Sequence, residues 1–328
     1  MSLADRDRAR GMFYGLALGD ALGWPVEFME LPQILARYGR GGIGEPPDPA
    51  LYTDDTQMSA AVGEALIEAG QQNLDVLMGA VARHFIGWKR DPSTPGRAPG
   101  ATSIRGVNAL ERGAPWREAG VKDSKGCGAC MRVAPVGYLY QGDPGRLQSV
   151  ARAQGTLTHR HPTADAACIG AAYLIKLALD DVHPEVYAAR LLAFAGGHAP
   201  EFDVAINRIE PVLAWPDAEA ALRQVGPTRG GGWIAEEAVA MALYCVQRHP
   251  SDYVAAVRLA ANISGDSDSV AAIAGGILGA RLGTRGIPAD WVARLENREY
   301  LTDLADRLAA KKTQMLAASA LSAAAQSR

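Results

Sequence analysis

Gly11-Met12-Phe13-Tyr14-Gly15-Leu16-Ala17-Leu18-Gly19-Asp20-Ala21-Leu22-Gly23 is the stretch on which the reading of the fold turns. Its glycines recur at every fourth position, which places them on one stripe of a helix, where the missing side chains let a neighbouring backbone come close. A phosphate-cradling Gly-x-Gly-x-x-Gly turn would need a preceding strand, and none is legible here. The stripe therefore reads as helix packing, and the chemistry is to be sought elsewhere.

Working outward, the rest of the chain repeats the helical pattern. Leu74, Leu77, Met78, Val81, Phe85 and Ile86 recur at three- and four-residue steps, on one helical face. Similar spacing runs through 167–179, 233–245, 253–263 and 269–282, and no comparable set of alternating strands accompanies it. The expected fold class is all-α. Gly- and Pro-rich connections at 39–49, 91–106 and 227–232 separate the helices, and long connections in a compact enzyme often line its site. No linker or low-complexity stretch divides the 328 residues, so one domain is expected over 1–312, followed by a frayed tail over 313–328.

Composition narrows the partners. With 48% hydrophobic residues the chain can bury a sizeable core, and a net charge of −3 leaves no electrostatic footprint for nucleic acid. No apolar run approaches the roughly 20 residues of a membrane span. The charged start, Asp5-Arg6-Asp7-Arg8 with Arg10, is unlike a secretory signal, so a cytoplasmic protein with a small-molecule or protein partner is expected.

Two acidic clusters carry the candidate chemistry: Thr53-Asp54-Asp55-Thr56 and, far downstream, Asp266-Ser267-Asp268-Ser269. Each precedes a helical stretch, so each by itself reads as a plain helix N-cap. Together they carry more carboxylates than capping requires. Four Asp side chains gathered in a partly buried cleft repel one another unless a cation compensates, and an all-oxygen ligand set suits Mg²⁺ or Mn²⁺ rather than zinc or copper. If the fold brings the clusters together, they form a two-metal site.

Five signatures in order resemble the ADP-ribosylglycohydrolase family: the stretch 15–23 with Glu27-Phe28; Tyr52-Thr53-Asp54-Asp55-Thr56-Gln57-Met58; Gly126-Cys127-Gly128-Ala129-Cys130-Met131-Arg132; Thr158-His159; and Gly265-Asp266-Ser267-Asp268-Ser269. They span most of the chain. The resemblance implies an all-helical hydrolase that releases ADP-ribose from an acceptor with two divalent cations, Mg²⁺ or Mn²⁺. It implies that Thr53, Asp54 and Asp55 hold one cation and Asp266 and Ser269 the other, with Asp268 bridging; Ser269 stands where relatives often have Thr. Glu27 and Asp55 are the candidate catalytic residues, Glu27 as acid/base or as a movable metal contact. Read alone, Glu27 also fits an exposed carboxylate at a helix end.

The resemblance also directs the smaller signals. Gly126, Cys127, Gly128 and Ala129 offer backbone N–H groups to a diphosphate, ahead of a helix expected near Met131, and His159 is expected beside the bound ADP-ribose. Cys127 stands where the family often has Asn. The Cys127/Cys130 pair, with no second pair and no βαβ pattern beside it, reads as buried thiols rather than a redox or zinc motif. His161 reads as a capping or packing residue, and Trp233 either as core or as a stacking surface for adenine. The acceptor of first choice is arginine on an ADP-ribosylated protein; serine-linked ADP-ribose and ADP-ribose-containing small molecules or nucleobases are alternatives, as is a non-catalytic relative that only binds ADP-ribose. Asp266-Ser267-Asp268-Ser269-Val270 also fits a haloacid dehalogenase-type Asp-x-Asp motif, which requires a buried strand before it.

Overall fold

The glycine stripe is a helix-on-helix seam. The structure, a computed structural model, describes residues 3–326, without the side chains of residue 3 and of 319–326. Its helices are α1 Leu3–Gly23, α2 Leu31–Tyr38, α3 Asp54–Ala69, α4 Leu74–Arg90, α5 Ala101–Glu111, α6 Trp116–Ala119, α7 Ala134–Leu139, α8 Pro144–Thr156, α9 Pro162–Leu179, α10 Tyr187–Ala195, α11 Pro200–Asn207, α12 Ala218–Val225, α13 Ala235–Arg248, α14 Tyr253–Ala261, α15 Ser267–Leu282, α16 Ala289–Arg294 and α17 Arg298–Gln326. Among the described residues, strand is confined to two paired two-residue segments, Val121–Lys122 and His159–Arg160. The fold is all-α and forms a single domain.

The α1/α15 pair is the most extensive helix contact in the protein. A Cβ on Gly11, Gly15 or Gly19 would lie 2.3, 2.2 or 2.1 Å from the carbonyl oxygens of Gly279, Gly275 and Ala271. The closeness is reciprocal, since a Cβ on Gly275 or Gly279 would lie 2.1 or 2.0 Å from the carbonyls of Gly15 and Gly11. Tyr253 reaches in from α14 and donates its hydroxyl to the Gly15 carbonyl at 2.8 Å. From Ser267 to Ala280, α15 is buried all round, as a core helix rich in Ala, Gly and Ile must be. Helices α3, α9, α13, α14 and α17 enclose the pair.

Helix boundaries differ from the sequence reading in ways that matter for the site. Helix α3 begins at Asp54 and α15 at Ser267, so Asp54, Asp55 and Asp268 lie in the first turns while Asp266 is the N-cap of α15. The segment after Gly126 does not enter a helix near Met131: Cys127–Ala129 form one 3₁₀ turn, and α7 starts only at Ala134, with Pro135 in its first turn. The 91–106 connection ends at Gly100, where α5 begins. Of the expected tail, residues to Gln326 continue α17, which Lys312 ties down through Asp5 (2.9 Å) and Gln141 (2.6 Å); residues 327–328 lie outside the described residues. Helix α9 is long and apolar enough by length and composition to cross a membrane, yet 78% of it is buried inside the protein, as befits a core helix.

Candidate metal centre and active site

At the end of the α1/α15 seam the packing turns from glycine to carboxylate. A Cβ on Gly23 would lie 2.5 Å from the Asp268 Cα, and the Ser267 hydroxyl donates to the Gly23 carbonyl at 3.1 Å, so the last turn of α1 lies directly on the first turn of α15. One turn earlier, Asp20 is fully buried. Its carboxylate accepts from Thr53 N–H (3.0 and 3.1 Å), Thr56 N–H (3.1 Å) and the Thr56 hydroxyl (2.6 Å). Asp20 thus fastens the start of α3 beside the start of α15.

Both acidic clusters cap their own helices and still have carboxylate oxygens to spare. Thr53 Oγ1 accepts from Asp55 N–H at 3.3 Å, and Asp266 accepts from Ser269 N–H at 3.4 Å. Asp54 Oδ2 accepts from Gly100 N–H at 3.0 Å, the contact by which the 91–100 connection closes onto the site. Asp55 Oδ1 is buried without a hydrogen-bond partner. Glu27 follows the end of α1, and Phe28 after it adopts a left-handed φ of 54°, uncommon for a bulky side chain. The Phe28 N–H donates to the Gly265 carbonyl at 2.7 Å, which ties the Glu27 turn to the residue before Asp266. Glu27, Asp266 and Asp268 each offer an oxygen, and these lie within 4.8 Å of one another.

The electrostatics follow from that crowding. Burial lifts the Asp54 carboxyl to about 8, opposed by the Gly100 N–H and reinforced by Asp20, Asp266 and Glu27. Burial, then the charges of Asp266 and Asp20, lifts Glu27 to about 7. Burial raises Asp20 to about 6 against the bonds it accepts from Thr56 and Thr53. Asp55 and Asp268 are pushed well above the usual range by burial and by neighbouring carboxylates. All five move in the same direction because burial strips each of water and the neighbouring carboxylates repel, and a divalent cation is the compensation such a pole calls for.

The glycine loop beside this pole differs from expectation at one atom. Cys127 N–H is spent on the Trp233 carbonyl (2.9 Å) and so is not free for a diphosphate; Ala235 N–H bonds the Lys125 carbonyl at 2.8 Å, completing an antiparallel bridge. Cys127 and Cys130 are buried free thiols, as expected, and the Cys127 thiol turns toward the acidic pole, 3.0 Å from Asp266 Oδ2 and 3.6 Å from Ser269 Oγ. His159 is buried beneath the loop, where a Cβ on Gly126 would approach its Nε2 to 3.1 Å and one on Gly128 its Cε1 to 3.1 Å. Burial, with Arg132 and Arg105 nearby, lowers His159 to about 3, which keeps the ring neutral. Arg132 donates to Thr158 Oγ1 at 2.7 Å, and Thr158 Oγ1 lies 2.8 Å from His159 Nδ1, so the two hold the ring in place beneath the loop. His161 caps α9 by accepting from Thr163 N–H at 3.1 Å, and Trp233 is 44% exposed, hence not core.

Comparison with known proteins accords with this geometry. The chain matches the ADP-ribosylglycohydrolase family model over residues 1–317. The chain belongs to the ADP-ribosylglycohydrolase family. It is 29% identical over 308 residues to the ADP-ribosyl-[dinitrogen reductase] glycohydrolase of Rhodospirillum rubrum, covering 88% of this chain and 90% of that one. It is 27% identical over 307 residues to the ADP-ribosylarginine hydrolase Tri1 of Serratia proteamaculans, covering 92% and 79%. A solved structure described as an ADP-ribosylglycohydrolase-related protein complex superposes with a TM-score of 0.75 at 28% identity, over 95% of this chain and all of that one.

In this member of the family, the fold gathers Glu27, Asp54, Asp55, Asp266 and Asp268 at one pole, with Gly126–Ala129 alongside, against His159. The haloacid dehalogenase-type motif fails on its context, because helix α14 and not a strand precedes Asp266. Asp20, Gly100 and Arg132 escaped the sequence reading. For Asp20 a signal was present: an acid between Gly19 and Ala21 in an otherwise apolar stretch needs partners when buried.

Proposed function

We propose that this ADP-ribosylglycohydrolase cleaves the bond between ADP-ribose and an arginine side chain of a modified protein, in the cytoplasm, at a dinuclear Mg²⁺ or Mn²⁺ centre. The observation that carries the reading is the pole itself: oxygens of Glu27, Asp266 and Asp268 within 4.8 Å of one another, and beside them Asp55 with a buried, unpartnered oxygen. Thr53, Asp54 and Asp55 would hold one cation, Asp266 and Ser269 the other, and Asp268 both. Bound there, the cations supply Lewis-acid polarisation and orient the ribose oxygens. The arginine linkage is supported by the Serratia relative, named an ADP-ribosylarginine hydrolase, and the cytoplasm by four unpaired cysteines, which a reducing compartment preserves.

The chain's own groups divide the remaining work. Glu27 is half-buried, and its carboxyl, lifted to about 7, falls in the range where a proton is readily both held and given up at neutral pH. It is the group we assign to proton transfer at the leaving nitrogen as positive charge develops at the anomeric carbon. The neutral His159 ring braces the Gly126–Gly128 loop from beneath, and we assign that loop, beside the pole, to the diphosphate joined to the ribose.

Chelator-stripped protein, offered arginine- and serine-linked ADP-ribosyl peptides with and without Mg²⁺ or Mn²⁺, tests the proposal. Metal-dependent release of ADP-ribose from the arginine-linked peptide is expected. Cleavage of the serine-linked peptide alone would overturn the acceptor assignment, and full activity after stripping would overturn the metal assignment.

A further inference from the structure

We propose that Cys127 makes this centre a mixed sulfur–oxygen site, in which zinc-class cations (Zn²⁺, Cd²⁺) bind through Cys127 Sγ together with Asp266 and compete with Mg²⁺ or Mn²⁺. The inference rests on the reading of the acidic pole as a divalent-cation centre and adds a ligand that an all-oxygen set lacks.

Geometry carries it. Cys127 Sγ lies 3.0 Å from Asp266 Oδ2 and 3.6 Å from Ser269 Oγ. A tetrahedral zinc-class ion with a sulfur ligand at about 2.3 Å and oxygen ligands at about 2.0–2.2 Å holds its S and O donors roughly 3.5–3.7 Å apart. The Cys127–Ser269 pair is already at that separation, and the Cys127–Asp266 pair needs to open by about half an ångström. The sulfur is also fixed in place, because Cys127 N–H is bonded to the Trp233 carbonyl and its own carbonyl accepts from Cys130 N–H (2.8 Å) and Met131 N–H (3.0 Å). Cys130 Sγ points away from the pole, toward the carbonyls of Cys127 (3.3 Å) and Ala235 (3.8 Å).

A second observation points to the same ligand. Asp55, buried in the same pole, keeps its Oδ1 without a hydrogen-bond partner, an orphaned anionic oxygen of the kind a cation satisfies. Cys127 and Asp266 supply two anionic donors and Ser269 a neutral one, and a sulfur among the oxygens is the softness that suits zinc-class ions. On binding, the metal–sulfur bond forms as the S–H bond breaks and its proton leaves to solvent. Mg²⁺ and Mn²⁺, which prefer oxygen, leave the thiol protonated and donating to Asp266.

The test is a Cd²⁺ titration of the metal-stripped full chain, followed by the ultraviolet thiolate-to-cadmium band and by cadmium nuclear magnetic resonance, with a Mn²⁺ titration by electron paramagnetic resonance in parallel. The parent should show a thiolate band and a cadmium shift typical of one sulfur ligand. Cys127→Ser should lose the band and weaken Cd²⁺ binding by at least about tenfold while leaving Mn²⁺ affinity unchanged. An all-oxygen cadmium shift in the parent overturns the inference whether or not the variant folds, as does a band that survives in Cys127→Ser. If Mn²⁺ binds in that case, the metal reading stands without the thiol; if neither ion binds, both fall.

Discussion

The middle of the α1/α15 pair and its end are built from the same two helices and obey opposite physics. In the middle, glycines at 11, 15 and 19 face Gly279, Gly275 and Ala271 with backbones in contact, and the seam is held by close packing and burial. At the end, Asp20, Glu27, Asp266 and Asp268 meet the start of α3, and every carboxyl whose pKa moves there moves upward. The seam stabilises; the pole costs stability unless a cation occupies it. The rigid seam is what holds mutually repelling carboxylates together in a protein that would otherwise let them part.

The sharpest way to separate the two regions is Asp268→Asn. The N-cap Asp266 is untouched and the amide oxygen can keep the bond from Ser269 N–H, 2.9 Å in the parent, so α15 should stay capped while one buried charge disappears. Hydrolysis should be abolished and divalent binding weakened, and the metal-free protein should melt no lower than the parent. A large drop in metal-free melting temperature would show that the pole, like the seam, serves packing. Glu27→Gln should lower turnover by about 10²–10⁴-fold with ADP-ribose affinity nearly unchanged, the pattern of lost proton transfer; a loss confined to affinity would make Glu27 a binding group.

The seam answers to volume instead. Gly15→Val places a Cβ 2.2 Å from the Gly275 carbonyl oxygen, and denaturant unfolding should show a loss at or above the top of the roughly 1–3 kcal/mol usual for overpacking. Gly87→Ala, inside α4 with no atom within 4 Å of the added Cβ, should gain up to about 1 kcal/mol from helix propensity. Equal effects at the two glycines would break the distinction between seam and surface.

The difference also governs what the sequence discloses. The seam is periodic and local, so the spacing of Gly11, Gly15, Gly19 and Gly23 was enough to read it as packing. The two Asp clusters were legible as surplus carboxylates at helix starts. What joins them was not: Asp20 acts through Thr53 and Thr56, Gly100 reaches Asp54 across a loop, and Cys127 N–H is claimed by Trp233, all contacts between residues far apart in the chain. Helix onsets erred by a turn where capping residues proved helical, as at Asp54 and Ser267, or where a 3₁₀ turn intervened before Ala134.

A smaller effect is the pH dependence of the metal-free protein. Asp54 and Glu27 are raised to about 8 and about 7, so the folded chain still binds protons that the unfolded chain has already released above the ordinary carboxylate range. Stability from these groups is therefore fully present below about pH 4 and lost as pH rises through 7 and 8. Melting curves of stripped protein should shift down from pH 5 to pH 8.5, and Mn²⁺ should stabilise more at the higher pH; a stripped protein that gains stability over that range would contradict the account of the pole.

The most direct test of that account is the stoichiometry of Mn²⁺ bound to the stripped chain near pH 8, measured by calorimetry with electron paramagnetic resonance on the same samples. Two ions per chain in the parent, close enough to couple magnetically, and loss of that pair in Asp268→Asn are the predicted results. A parent that binds no Mn²⁺, or an Asp268→Asn protein that binds the pair as tightly as the parent, would contradict it.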